Sequence, residues 1–433
     1  MRKTIFGCLG AAAVAFALQF TPANVEAGLF SPCDPNGCDP CGEVVCTPCD
    51  NLWDCDPCGA LNGCGPSLGK WFLNGHIDTG FWANAHGKKS TYGDADNPLT
   101  YARGADLFSG NTGYLQNTRL TGAQINQLYV SMGRSVDGRR GLDIGGTVDF
   151  TWGSDAYIVQ AAGLEHSTGR ASSWGSGDYF SAFAQAYAEL AYGRWNVKAG
   201  KFYAPFGIDS YKSTENFFYS WSPTNLIAPT VAGGAYATFK ASDRLTLIGG
   251  WVMPEEIGES SKYNTFAGGF IWTPGKKLNL RYTFAAGKNK YEGNALDTPY
   301  DVFVQSLTTT YQYNKRISYV FDWTLLNVNS DGESLASSYS LMNEIIFKYN
   351  SRWSFGQRFG MISGNYLDPA GAILGGEGVD LYTVSLGANW TPNKWLTVKP
   401  EIRYDWNEDG LALFGAGEKT YQFSGGLSTV VKF

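Results

Sequence analysis

The residues best equipped for chemistry in this chain are its cysteines, and eight of the nine lie between Cys33 and Cys64. Cys33, Cys38, Cys41, Cys46, Cys49, Cys55, Cys58 and Cys64 include three copies of C-x-P-C, at 38–41, 46–49 and 55–58. Thiols so spaced can close disulfides, hold zinc as thiolates, or exchange disulfides as redox pairs. An even count in an exported chain points first to disulfides, within the segment or between molecules. No metal or other cofactor is expected. The segment is dense in Pro and Gly and poor in hydrophobic residues, so it cannot bury much of a core. It reads as a stapled appendage.

Other catalytic types are sparse. The three histidines, His76, His86 and His166, form no H-E-x-x-H pair, and G-x-S-x-G, P-loop and G-x-G-x-x-G motifs are absent. His76 and Asp78 fall on one face of an alternating run. A lone pair of this kind more often braces a wall than catalyses. No catalytic residue is assigned, and an enzyme is not expected.

The remaining charged residues of interest sit inside runs with a period of two. Leu142, Ile144, Val148, Phe150 and Trp152 alternate with Asp143, Thr147, Asp149 and Thr151, and Leu396, Val398, Ile402, Tyr404 and Trp406 with Lys399, Glu401, Arg403 and Asp405. Similar runs carry Glu189, Lys198, Arg281, Asp322, Glu344 and Arg358. A two-residue period puts the polar set on one sheet face and the apolar set on the other. Facing a lumen, these side chains would line an aqueous path. Both signs are present, whereas selective pores carry rings of one charge, so a weakly selective path is expected. Bracing of the wall is the alternative for each residue.

The elements that must position them follow from run length. Many runs extend for about ten residues, enough to cross a bilayer at a tilt, whereas soluble strands average about five or six. Short turns near Ser135–Arg140, Gly193-Arg194, Ala241–Arg244, Pro274–Lys277, Asn314–Arg316, Asn350–Arg352 and Thr391–Lys394 alternate with longer stretches at 83–123, 153–180, 204–231, 254–262, 287–301, 327–337, 363–379 and 407–419. That asymmetry is the signature of a membrane barrel with short periplasmic turns and longer outer loops. The fold expected is all-β, a transmembrane antiparallel up-and-down β-barrel of about sixteen strands, with fourteen or eighteen left open. Closure satisfies every backbone group in hydrocarbon. Trp195, Trp272, Tyr313, Tyr349, Trp353, Trp390 and Trp395 flank the short turns and would form an interfacial girdle.

Composition agrees. The chain has 433 residues, 15% aromatic and only 17% charged, with 54 glycines and a net charge of -6. The acidic balance excludes the basic footprint of a nucleic-acid binder. Beyond the N-terminus no apolar run approaches the ~18 residues of a membrane helix. Arg2 and Lys3, the apolar stretch from Ile5 to Phe20 and Val25-Glu26-Ala27 form a secretory signal. The expected organisation is a signal peptide at 1–27, the cysteine-rich segment at 28–69 and the barrel at 70–433. Within 204–231, Phe206, Tyr211, Phe217, Phe218, Tyr219 and Trp221 make a freely solvated loop unfavourable. The segment is expected to fold inward and narrow the pore, with Asp209, Lys212 and Glu215 facing the water path. An outer girdle or a subunit contact is the competing account of its aromatics.

The final run, Tyr421 to Phe433, alternates and ends on an aromatic, and it resembles the C-terminal signal read by the barrel-assembly machinery. Across 70–433 the chain resembles the OmpL-like family of β-barrel porins, most specifically at Gly200-Lys201-Phe202-Tyr203-Ala204-Pro205-Phe206-Gly207. Similar G-K-F-x-x-P-F-G stretches occur in phosphate-selective porins, and the cysteine segment lies outside the resemblance. The resemblance implies an outer-membrane porin, a water-filled channel for passive diffusion of small hydrophilic solutes and ions. Its implied partners are outer-membrane lipid, the assembly machinery acting at Phe433, and the solutes themselves, with homotrimer and monomer both open. A structural surface protein crosslinked through its cysteines is the alternative.

Overall fold

The computed structural model describes residues 70–85, 121–161, 163–165, 174–176, 179–254, 265–289, 300–330, 332–365, 378–410, 414 and 419–433. The expected signal peptide, all eight clustered cysteines, His86 and His166 lie outside them.

The chain runs β1 (Trp71–Asn84), β2 (Thr121–Arg134), β3 (Asp143–Gly153), β4 (Gly175–Ser176), β5 (Tyr179–Tyr192), β6 (Trp195–Tyr203), β7 (Val231–Lys240) and β8 (Leu245–Pro254). It continues through β9 (Thr265–Gly275), β10 (Leu278–Asn289), β11 (Tyr300–Gln312), β12 (Ile317–Ser330), β13 (Glu333–Lys348), β14 (Trp353–Gly364), β15 (Val379–Asn393), β16 (Leu396–Asn407) and β17 (Tyr421–Lys432). The two-residue β4 is a spur on β5; β3 pairs β5 directly. The other sixteen strands are each antiparallel to their neighbours, and β17 returns to β1 with His76 opposite Lys432 and Asn84 opposite Ser424. The barrel is therefore closed, with sixteen spanning strands.

Alternation sorts the two faces. Leu142, Ile144, Val148 and Phe150 are exposed outward while Asp149 and Thr151 are buried inward. On β16, Ile402 and Tyr404 are exposed and Glu401, Arg403 and Asp405 buried. The girdle of Trp195, Trp272, Tyr313, Tyr349, Trp353, Trp390 and Trp395 is exposed beside the short turns. Its rings pair across strands, as where Trp353 stacks on Trp390 at 6.1 Å.

One expected long connection is absent. The stretch 327–337 is strand almost throughout: Asn327 faces Ser337, Asn329 faces Ser334 and Ser330 faces Glu333. Gly332, at φ 85°, makes the turn. Its polar composition suggested a loop, but these residues satisfy one another across the ladder, as in Ser337 Oγ to Asn327 Oδ1 at 2.7 Å.

At the β1–β17 seam two glycines admit aromatic rings. A Cβ on Gly80 would lie 2.1 Å from the Tyr219 hydroxyl, and one on Gly426 would lie 2.0 Å from the Trp82 ring. Trp82 and Tyr219 meet edge to face at 5.3 Å.

Candidate functional site

The interior of the barrel is organised by the segment that leaves β6 and returns at β7. Its entry is fixed by the Gly200–Gly207 stretch. Lys201 is buried, and its ammonium donates to Glu165 at 2.8 Å and to the Val159 carbonyl at 2.6 Å. Glu165 also accepts the amides of Ala161 at 2.8 Å and Phe183 at 3.0 Å. Both charges are thus matched within hydrogen-bond distance, as a buried pair requires. The next residues cross to the far wall. Thr283 donates to the Pro205 carbonyl at 2.6 Å, the Gly207 amide to Ser306 Oγ at 3.0 Å, and the Ile208 amide to Asp322 Oδ2 at 2.7 Å. Arg281 donates to the Gly207 carbonyl. These anchors stand on three adjacent strands, β10, β11 and β12. Gly207 turns with φ 67°, a conformation that glycine enters without steric cost.

The second half of the segment is tied to the opposite arc of wall. Ser220 donates to Glu401 through its amide at 2.8 Å and its hydroxyl at 2.6 Å. Arg358 donates to the Ser220 carbonyl at 2.8 Å, and Arg403 to the Trp221 carbonyl at 2.9 Å. Lys399 donates to the carbonyls of Ser213 and Asn216. Gln127 on β2 donates to the Tyr211 carbonyl at 2.8 Å. The segment therefore spans the lumen from β10–β12 to β14–β16 and β2. Phe206, Tyr211, Phe218, Tyr219 and Trp221 are buried, and Phe217 is partly so. They line the inside, and neither an outer girdle nor a subunit contact accounts for them.

A second segment also turns inward, against the expectation that 153–180 forms an outer loop. Ser154–Val159 is a 3-10 helix whose Ser154 accepts from Gln124 at 2.8 Å and whose Asp155 accepts from Gln127 at 2.9 Å. Ala156, Ile158 and Val159 pack with Tyr211 and Trp221. Burial, and then the Asp78 carboxylate, push the Asp155 carboxyl well above the usual carboxylate range. Burial likewise raises the hydroxyls of Tyr211 and Tyr219.

The structure divides the charged residues singled out in the sequence. Asp149, Asp322, Arg358, Lys399, Glu401, Arg403 and Asp405 point inward but are each at most 3% exposed. The inserted segment and neighbouring side chains cover most of their surface, and they brace the wall. Arg403 holds Asp405 at 2.7 Å, and Asp149 accepts from Tyr129, Ser131 and Gln185. Asp143 stands at the short-turn rim, bound to Lys70, to Arg134 at 2.8 Å and to the Asp137 amide at 2.7 Å. Glu344 lies 3.9 Å from Arg358 and is nearly covered. Accessible charge remains at Lys198 and Glu189, 4.0 Å apart, and at Lys212 and Glu215, 3.9 Å apart, with side-chain exposures from 14% to 34%. Two openings flank the segment. One reaches Arg281 and Asp322, the other Glu344 and Arg358, and both share Ile208, Asp209 and Glu215.

His76 and Asp78 do not join as a dyad. His76 Nε2 lies 2.8 Å from Gln127 Oε1, while Asp78 accepts from Asn126 at 3.1 Å and Ser428 at 2.6 Å. Among the described residues no cluster of three His, Cys, Asp or Glu could hold a metal ion. Sequence reasoning missed Ser220, Gln127, Glu165 and Asp155 as organising residues. Only Lys201 carried a signal, through its place in the Gly200–Gly207 motif.

Residues 73–433 match the model of a family described as "Putative beta-barrel porin-2, OmpL-like". The chain belongs to this family. It is an outer-membrane porin. Solved structures share its fold at low identity. An anion-selective porin from Comamonas acidovorans aligns at TM-score 0.55 and 11% identity, covering 84% of this chain and 99% of that one. The outer-membrane channel DcaP of Acinetobacter baumannii aligns at 0.52 and 9%, covering 84% and 97%. A trimer form of OmpT, an outer-membrane protein of Vibrio cholerae, aligns at 0.50 and 12%, covering 84% and 99%. No curated protein matches this chain.

Proposed function

We propose that this porin passes small hydrophilic solutes and ions by passive diffusion through a lumen narrowed by segment 204–230, with no catalytic step. The observation that supports this reading is the double anchorage of the segment; in this reading Asp209, Lys212 and Glu215 border the path. Charges at such a constriction act in a narrow, partly desolvated region and bias ions more than charges elsewhere. The accessible residues include both signs, which supports weak selectivity. Lys212→Glu should shift the reversal potential toward cations in planar bilayers, and shortening the segment between Asp209 and Asn216 should raise single-channel conductance. Parental behaviour in both variants would remove the segment from the constriction.

Two further roles belong to this reading. Phe433 is exposed, and its backbone exchanges hydrogen bonds with Gly75, at 3.0 and 2.9 Å. We assign it the assembly signal. Deleting it should lower the heat-modifiable fraction in the outer membrane several-fold, and normal insertion would withdraw the assignment. The trimer form of the Vibrio cholerae barrel supports a homotrimer here, which crosslinking of the membrane-embedded protein would test. Monomer-only products would refute it.

A further inference from the structure

The short-turn end of the barrel carries a charge that the pore does not use. Its turns and flanking positions (70, 134–143, 193–195, 240–244, 275–278, 313–316, 348–353, 393–396 and 432–433) hold fifteen of the chain's 33 Lys and Arg but three of its 39 Asp and Glu. The rest of the molecule is accordingly strongly acidic. The cations are spread around the whole circumference. Arg139 and Arg140 lie after β2, Arg194 after β5, Arg244 after β7, and Lys276 with Lys277 after β9. Lys315 and Arg316 follow β11, Arg352 follows β13, Lys394 follows β15, and Lys70 and Lys432 flank the seam. All but Lys277 of these are exposed. The three acids are held close to cations: Asp137 by Arg139 at 2.8 Å, Asp243 by Lys240 at 3.0 Å, and Asp143 by Lys70 and Arg134. Arg139 also pushes the Asp137 carboxyl down to about 2.

This ring coincides with the aromatic girdle. Trp195, Trp272, Tyr313, Tyr349, Trp353 and Trp395 all lie within four residues of a ring cation, on the lipid-facing surface. Arg194 lies 6.0 Å over the Phe239 ring, which packs against Trp195 at 4.6 Å. Outward aromatic rings mark headgroup depth, and basic residues beside them attract anionic headgroups within a Debye length. A lumenal anion funnel would need the cations alone, with no reason to place them among outward rings.

We propose that the short-turn rim is a binding surface for anionic phospholipid headgroups of the periplasmic leaflet. The ring would gather such lipids around the barrel and fix its depth and tilt. Because the turns differ in sequence while the charge recurs at each, recognition rests on charge density and interfacial depth.

The test uses the full chain reconstituted in phosphatidylcholine vesicles carrying a small fraction of brominated lipid, with tryptophan fluorescence as the readout. Brominated phosphatidylglycerol should quench severalfold more strongly than brominated phosphatidylcholine at low salt, and the preference should fall as salt rises. A variant combining Lys276→Gln, Lys277→Gln, Lys315→Gln and Arg316→Gln should fold to the same heat-modifiable form and lose a large part of the preference. Equal quenching by the two lipids would overturn the proposal. So would a variant that keeps its lipid preference while shifting the reversal potential, since the ring would then act on solute ions.

Discussion

Inside the barrel, Glu401, Arg403 and Lys399 are sealed beneath an inserted segment and matched to its amides, hydroxyls and carbonyls. At the short-turn rim, Arg140, Lys276 and Arg352 stand in the open with a large excess of one sign. The chain uses similar side chains for opposite ends. Where water is excluded, each charge must find several partners, because an uncompensated one is costly. Where water is present, like charges coexist at little cost, screened within about 8–10 Å at ordinary salt. The lesson is that polarity of a strand face identifies the inward side but says nothing of whether that side is wet.

The sealed interior depends most heavily on Glu401. Glu401→Leu removes the acceptor of two Ser220 hydrogen bonds and the carboxylate 3.3 Å from the buried Arg358 guanidinium, so destabilisation of about 3–5 kcal/mol is expected. A lower temperature for loss of the heat-modified form, with larger and noisier conductance, would show it. A parental transition would mean that the segment is held elsewhere.

A smaller effect is expected from pH at the inner 3-10 helix. Asp155 holds its proton more tightly folded than unfolded, so the folded state binds the extra proton and stability falls as pH rises from the unfolded value upward. Docking of Ser154–Val159 should therefore weaken across that window, read as rising current noise. Asp155→Asn, which keeps the shape without the charge, should abolish the dependence. An unchanged pH profile in that variant would assign the titration to another group.

The smallest effect belongs to the rim. Arg352→Ala should alter stability by no more than about 0.5 kcal/mol, as at other exposed surface positions. A loss comparable to that of Glu401→Leu would erase the contrast between the two regions.

The barrel itself was legible because a two-residue period and the alternation of short and long connections are local patterns. Segment 204–230 was legible through its aromatics, which cannot stay in water. Its anchors were not. Ser220 and Glu401 are 181 residues apart, and Ser220 and Arg358 138 apart; nothing in either neighbourhood marks the match. The inward turn at Ser154–Val159 carries one aromatic, Tyr157, and gave no comparable signal. The 327–337 stretch misled for the converse reason, since polar residues facing one another across a ladder resemble a loop.

The glycines at the seam have a consequence for the order of events during maturation. Tyr219 reaches the space over Gly80 on the first strand, and Trp82 beside it fills the space over Gly426 on the last. Segment 204–230 is made midway through synthesis, yet its resting place is completed only when the two ends of the chain meet. Until then Tyr219 lacks the pocket that Gly80 and Trp82 give it. Docking of the segment is in this sense a reporter of closure, and a barrel with an unzipped seam would conduct as a wide, ungated hole.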